Sequence, residues 1–100
     1  MVVEIPFQER WRAPILEGTK TCTSRTKRYA EVGDTFEAFG AIFQLTAIER
    51  RYLKDVAEVL FAKEGCKSPD EFEYVWEQLH PRRGWQAYER VWLHHLKIKK

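Results

Sequence analysis

The spacing of apolar residues changes twice along this chain of 100 residues, and these changes restrict its fold more than any other feature. Residues 35–39 and 42–51 alternate apolar with polar side chains, which predicts two half-buried strands. Residues 53–63 and 69–79 instead repeat apolar side chains every three or four positions, as helices do. Residues 89–99 return to an extended pattern and predict a last strand. Strands followed by two helices and one further strand favour the α+β class.

The helix over residues 69–79 has the clearest start and stop signals. Ser68 and Glu71 form a capping box around Pro69, which suits the first helical position, and Pro81 ends the helix. The residues predicted to face the core are Phe72, Val75, Trp76 and Leu79 of this helix, Val56, Val59 and Leu60 of the helix before it, and Phe43 and Leu45 of the strands.

Shorter signals define the other boundaries. Residues 2–5 predict a first strand that ends at Pro6, because proline cannot donate to a β-ladder. Residues 8–16 predict a short or kinked helix, since Pro14 interrupts the pattern. Gly65 stands at the stop position of the helix over residues 53–63.

Residues 17–25 are polar and do not serve a core. Gly18 can adopt a positive φ at the end of the preceding turn, which brings Lys20 beside the start of an extended run over residues 22–25. In an extended run alternate side chains share a face, so Thr21, Thr23 and Arg25 are predicted on one face and Lys20, Cys22 and Ser24 on the other. The segment therefore offers two polar surfaces.

The pattern Gly18-x-Lys20-x-x-x-x-Arg25 resembles the signature of ASCH domains, which are relatives of the PUA RNA-binding modules. The resemblance continues through the turn at residues 33–34, the segment around Glu64 and the helix that carries Trp76, and so covers essentially the whole chain. It implies one domain over residues 1–100, built as a small PUA-like mixed β-barrel flanked by helices.

Three residues resemble, position by position, those that serve the acetylcytidine amidohydrolases, small ASCH proteins that remove an acetyl group from the exocyclic amine of the base. They are Lys20, Thr23 and Glu64. Amide hydrolysis needs a nucleophile, a group that accepts its proton and a group that handles the leaving amine. Thr23 can attack if a neighbour such as Lys20 accepts its proton, and Glu64 can protonate the amine or activate water, but the sequence leaves open which of Thr23 and Lys20 plays which role.

Other interpretations of the same residues remain open. A lysine and a threonine in a polar loop are more often simply solvated. The same three residues also recur in ASCH domains assigned only to RNA binding, so a noncatalytic RNA-binding module and a regulatory interaction domain are alternatives. Glu64 favours a function, because the pattern places it in the last turn of a helix, where the helix dipole disfavours a carboxylate.

Two basic segments predict a rim for RNA or a modified nucleoside, since arginine binds phosphate and aromatic rings stack on bases. The residues predicted to bind are Gly18, Thr21, Arg25, Arg28, Arg82, Arg83 and Trp85. The alternative for the second segment is a solvated turn with Trp85 packed into the core. The formal net charge of +2 is too small for strong nonspecific binding, so any affinity for phosphate must come from a local patch.

The sequence predicts neither a metal site nor a cofactor. His94 and His95 are adjacent in a predicted strand, so their side chains point to opposite faces and cannot readily share an ion. Cys22 and Cys66 lack the spacing of a zinc site and are predicted to be free thiols.

Composition adds expectations about location and source. No apolar run approaches a signal peptide or a membrane span, so we expect a cytoplasmic protein without membrane contacts. The absence of asparagine, the single methionine and the many charged residues are typical of thermophilic proteins.

Overall fold

Four strands and three α-helices follow one another along residues 1–99, the part of the chain that the computed structural model describes. The elements are a 3₁₀ turn at Glu9–Trp11, α1 at Arg12–Glu17, β1 at Cys22–Arg25, β2 at Thr35–Ala38, β3 at Ala41–Tyr52, α2 at Leu53–Val59, α3 at Pro69–Leu79 and β4 at Arg90–Ile98.

The four strands form one sheet in the order β1-β4-β3-β2, in which all neighbours are antiparallel. The last strand therefore returns after both long helical segments and inserts between β1 and β3. A register shift between Leu45 and Ala47 marks a β-bulge in β3, and the sheet curls into a half-barrel. The α+β class is confirmed, and β1 lies at one edge of the sheet.

The N-terminal strand predicted over residues 2–5 is reduced to one parallel bridge between Val2 and Thr35. The Val3 backbone N donates to the Thr35 oxygen at 2.8 Å, and no ladder continues from there along residues 4–6. Ile5 and Phe7 leave the sheet edge to pack into the core, where the rings of Phe7 and Phe36 stack at 6.0 Å. Hydrophobic packing therefore replaces strand pairing at this point.

The helix predicted over residues 53–63 is shorter than expected. It ends at Val59, and residues 60–65 form turns in which the Glu64 backbone N donates to the Leu60 oxygen. These turns bury both Leu60 and Glu64. The prediction that Glu64 lies at the end of a helix dipole is therefore wrong, and Val59, predicted to face the core, is 70% exposed.

The helix α3 begins and ends as predicted. Ser68 Oγ accepts a hydrogen bond from the Glu71 backbone N at 3.1 Å, and Pro69 is the first helical residue. Phe72 and Trp76 are buried as expected and Val75 is half-buried, whereas Leu79 is 40% exposed because it lies at the rim of a cavity.

Two hydrophobic clusters occupy the two faces of the sheet. The cluster under α2 and α3 contains Cys22, Leu53, Val56, Ala57, Leu60, Cys66, Phe72, Trp76, Val91 and Leu93. The cluster under α1 and the N-terminal segment contains Ile5, Ile15, Phe36, Ala38, Phe43, Leu45 and Leu96. The predicted placement of Phe43, Leu45 and Val56 in adjoining cores is confirmed. Trp11 packs against both clusters, near the free edge of β1.

Candidate functional site

A cavity of about 200 Å³ lies at the edge strand β1. Its wall includes Thr23, Ser24 and Arg25, three consecutive residues of β1, together with Lys20 and Glu64. Alternate side chains of a strand point to opposite faces, but no neighbouring strand separates the two faces at a free edge. The two polar surfaces predicted from the sequence therefore border the same cavity, and the expected convergence of Lys20, Thr23 and Glu64 is present.

Lys20 and Glu64 form a buried ion pair in this wall. Lys20 Nζ donates to Glu64 Oε1 at 3.1 Å and to the Glu64 backbone oxygen at 2.8 Å, and the two side chains are 3% and 5% exposed. The Lys20 ammonium also lies 4.4 Å from the ring centroid of Trp11. Removing either partner would leave an uncompensated charge in the interior, so the two residues depend on each other.

Backbone contacts hold this ion pair in place. The backbone N atoms of Thr21 and Cys22 donate to the Lys63 oxygen at 2.8 and 3.1 Å, which fastens the turn before Glu64 to the start of β1. Gly65 follows with a φ of 91°, and a Cβ there would lie 3.0 Å from the Trp11 ring. Only glycine suits both this conformation and this close approach.

Ser24 completes the surroundings of the Glu64 carboxylate and was not among the predicted site residues. Its Oγ donates to Glu64 Oε2 at 2.5 Å, so each carboxylate oxygen has a partner. The alternation of β1 had placed Ser24 on the same face as Lys20, and this signal could have identified it. Sequence alone could not show that Glu64, 40 residues away, would lie on that face.

Thr23 and Arg25 form a second polar pair. The Arg25 Nε donates to Thr23 Oγ1 at 3.0 Å, and one terminal nitrogen of the same guanidinium donates to the Pro6 oxygen at 2.7 Å. The guanidinium lies over the rings of Phe7 and Tyr29, at 4.8 and 5.4 Å from their centroids. Burial lowers the pKa of Arg25, but a guanidinium stays charged in proteins, so Arg25 is a fixed cation of the cavity.

Neither cysteine supports thiolate chemistry here. Burial raises the pKa of Cys66, which lines the cavity, to about 11, and burial with the nearby Glu64 charge raises the pKa of Cys22 further. Both thiols are free and protonated at neutral pH. The thiols are therefore not available as nucleophiles at neutral pH, whereas the hydroxyl groups of Thr23 and Ser24 also line the cavity.

The other residues predicted to bind lie outside the cavity wall. Gly18 ends α1 with a φ of 83°, and Thr21 belongs to the backbone contacts with Lys63. Arg28 donates to Glu31, Arg83 pairs with Glu89, and Arg82 is exposed. Trp85 packs edge-on against Phe72 at 6.1 Å, beside the core under α3.

A metal site requires a cluster of ligating side chains, and a membrane span requires a long apolar helix. Within residues 1–99, no three His, Cys, Asp or Glu side chains are grouped so that they could hold a metal ion. In the same range, no helix has the length and apolar character needed to span a bilayer.

The crystal structures with similar folds include the following three. The hypothetical protein PH0355 matches with a TM-score of 0.75 and 19% identity, over 99% of this chain and 100% of that one. The ASCH domain from Lactobacillus crispatus JV V101 matches with a TM-score of 0.63 and 15% identity, over 97% and 77% of the two chains. Protein EF3133 from Enterococcus faecalis V583 matches with a TM-score of 0.62 and 17% identity, over 89% and 69%.

Sequence comparison adds no relative, because no protein-family model and no curated protein matches the chain. Identities of this size show the fold alone. The chain has the fold of an ASCH domain, as its sequence motifs predicted.

Proposed function

We propose that this protein is an amidohydrolase that removes an acyl group from the exocyclic amine of a modified nucleoside such as acetylcytidine. The observation that carries the proposal is the buried pair of Lys20 and Glu64, which borders a cavity together with the hydroxyl groups of Thr23 and Ser24. Buried charges are rarely retained for stability alone, because burying them costs more than it returns unless their geometry is very good.

The cavity has the features that a nucleobase requires. Aromatic side chains of Phe7, Trp11, Phe72 and Trp76 line it, and aromatic faces stack on bases. Arg25 supplies donors that can reach a carbonyl oxygen of the base. A pyrimidine such as cytosine offers both a ring to stack and a carbonyl to bind.

The buried pair supplies the proton transfers that amide hydrolysis needs. The Glu64 carboxylate can take up the proton of an attacking hydroxyl and return it to the exocyclic amine as the carbon–nitrogen bond breaks. Lys20, 3.1 Å away, balances the negative charge of Glu64 before Glu64 takes up the proton and again after it has returned it. Thr23, one of the three residues that resemble those of the acetylcytidine amidohydrolases, is one candidate for the attacking hydroxyl, and Ser24 is the second hydroxyl on the same strand.

The test is to incubate the purified protein with acetylcytidine and to measure cytidine by chromatography. We expect turnover by the wild-type protein and a loss of about 100-fold or more in Glu64→Gln, which keeps a hydrogen-bonding group but cannot carry the proton. Lys20→Met should lose activity similarly. The matched control is Glu58→Gln, an exposed carboxylate that pairs with Lys54 on α2 and should leave turnover unchanged. If neither acetylcytidine nor the corresponding acylated purine nucleosides are converted to their free nucleosides, the proposal is refuted.

A noncatalytic RNA-binding module is the second candidate, and a row of side chains across the sheet favours it. Trp92 is paired in register with Arg25 of β1 on one side and Arg50 of β3 on the other, so the three side chains share a face. The Arg50 guanidinium lies 4.5 Å from the Trp92 ring centroid, and that of Arg28 lies 5.4 Å from it.

The row continues with Arg90, whose guanidinium lies 6.0 Å from the ring centroid of Tyr52, its partner in register. Alternating cations and aromatic rings can hold the phosphates and bases of a single strand. Because Arg25 also lines the cavity, such a strand could lead directly into it. Neither Arg50 nor Trp92 was among the predicted binding residues, since their proximity depends on strand register.

A further inference from the structure

Ser24 makes the one contact in the cavity that joins a hydroxyl group directly to a proton acceptor. Its Oγ donates to Glu64 Oε2 at 2.5 Å, while Lys20 holds the other carboxylate oxygen at 3.1 Å. A nucleophile bonded to a base, which is in turn oriented by a third group, is the arrangement that activates a hydroxyl in enzymes. We propose that Ser24, rather than Thr23, is the attacking nucleophile; this inference rests on the proposed amidohydrolase function.

The surroundings of Thr23 do not provide a base. Its Oγ1 accepts a hydrogen bond from the Arg25 Nε, and a guanidinium is a donor that cannot accept a proton. Lys20 gives two of its donors to the Glu64 backbone oxygen and carboxylate instead. Thr23 therefore orients the Arg25 guanidinium. The Glu64 carboxylate instead accepts a hydrogen bond from Ser24, the residue next to Thr23.

Accessibility favours the same choice. Thr23 is 5% exposed, whereas Ser24 is only partly buried although it lines the same cavity. On β1 the side chain of Ser24 lies on the face that carries Lys20, which is the face reached by the turn over residues 60–65. The primary hydroxyl of serine is also less crowded than the secondary hydroxyl of threonine, which carries a methyl group on the same carbon.

The reaction balances with these groups and water alone. The Ser24 proton passes to Glu64 Oε2 as Oγ bonds to the acyl carbon, and the carbon–nitrogen bond then breaks while Glu64 returns that proton to the departing amine. The products of this half-reaction are the free nucleoside and an ester on Ser24. Water then gives a proton to Glu64 and attacks the ester, and Glu64 returns the proton to Ser24 Oγ as the acid leaves.

The test uses p-nitrophenyl acetate, an activated ester that reports an acylated hydroxyl whatever the natural substrate is. The full-length protein should release a burst of p-nitrophenolate, and mass spectrometry of its peptides should place the acetyl group on Ser24. Ser24→Ala should abolish the burst, while Thr23→Val, which keeps the shape of the side chain but lacks its oxygen, should still carry the acetyl group on Ser24. Glu64→Gln should slow acetylation by about 100-fold or more. Ser24→Cys should restore a burst that ends in a thioester.

The same variants are then assayed on acetylcytidine. Loss of turnover in Ser24→Ala, together with acetylation of Ser24 in Thr23→Val, supports the inference. An acetyl group on Thr23, or full activity of Ser24→Ala, overturns it and leaves the amidohydrolase function intact. Acetylation of Ser24 by the ester without turnover of any acylated nucleoside supports the nucleophile and refutes the proposed substrate. No acetylation at either hydroxyl of the wild-type protein overturns the inference.

Discussion

Four polar or charged side chains are buried among residues 1–99, and three of them are the residues predicted to be catalytic. The fourth is His94, the partner of Thr23 across the sheet. The backbone N of Tyr29 donates to His94 Nε2 at 3.2 Å, so the ring proton is on Nδ1, 3.1 Å from the Trp92 oxygen. The neutral ring thereby ties the segment that carries Tyr29, a cavity residue, to β4.

The burial of the His94 ring predicts a loss of stability in mild acid. Burial lowers the pKa of His94 from its ordinary value of 6.5, and the charges of Arg25 and Arg28 act in the same direction. Below about pH 6.5, this histidine therefore binds a proton more readily in the unfolded chain than in the folded protein. The free energy of unfolding consequently has its full value above that pH and decreases below it. Urea unfolding at about pH 7.5 and about pH 5 should show this decrease, and His94→Gln should reduce it.

His80 also contributes to the decrease in the free energy of unfolding in mild acid, so His94→Gln cannot remove that decrease entirely. Its pKa is also lowered, chiefly by burial and then by Arg83, so it contributes in the same direction. The dependence of the free energy of unfolding on pH should therefore be weaker in His94→Gln than in the wild-type protein, but not zero. An unchanged dependence would show that His94 is not the group that takes up the proton.

At the scale of elements, α3 joins the core to the cavity. Its signals for capping are local, so the sequence predicts the helix correctly from end to end. The buried Trp76 stacks at 6.3 Å from Phe72 and 4.1 Å from the ring of His80. The exposure of Leu79, one turn further along the same face, shows that the buried part of this face ends at Trp76.

Two substitutions in α3 test this division. Trp76→Ala should lower the free energy of unfolding by about 3 to 5 kcal/mol, because it leaves a large gap among buried side chains. Leu79→Ala, on the same face but 40% exposed, should cost less than about 1 kcal/mol. Chemical denaturation measures both. Equal losses would mean that the core continues to the end of the helix.

At the scale of the whole molecule, the sheet order determines what the site can reach. Because β4 lies between β1 and β3, the cavity at β1 and the exposed cations of β3 and β4 belong to one continuous face. A modest net charge of +2 is thus compatible with a local track for phosphates. Such a track would bind a nucleic acid strand more weakly as salt increases.

Charge reversal tests the RNA-binding candidate. Arg50→Glu and Arg90→Glu, made singly, should each weaken binding of single-stranded RNA and reduce the dependence of log K on log salt by about 0.7 for each phosphate that the variant no longer neutralises. Lys97→Glu is the matched control, since Lys97 is exposed on β4 but alternates to the other face from Arg90 and Trp92. Fluorescence anisotropy measures the affinities. An equal effect of Lys97→Glu would show that only overall charge matters.

The sequence by itself determined the α+β class, the helix α3, the extended run of β1 and the convergence of Lys20, Thr23 and Glu64, the last through resemblance to ASCH domains. These features depend on local periodicity, capping residues and a short motif. Only the tertiary structure placed β1 at a sheet edge, ended α2 at Val59 and brought Ser24 to Glu64. The reason is physical: a local pattern reports which face of an element is buried, whereas the partner of that face is chosen by packing between segments that are distant along the chain.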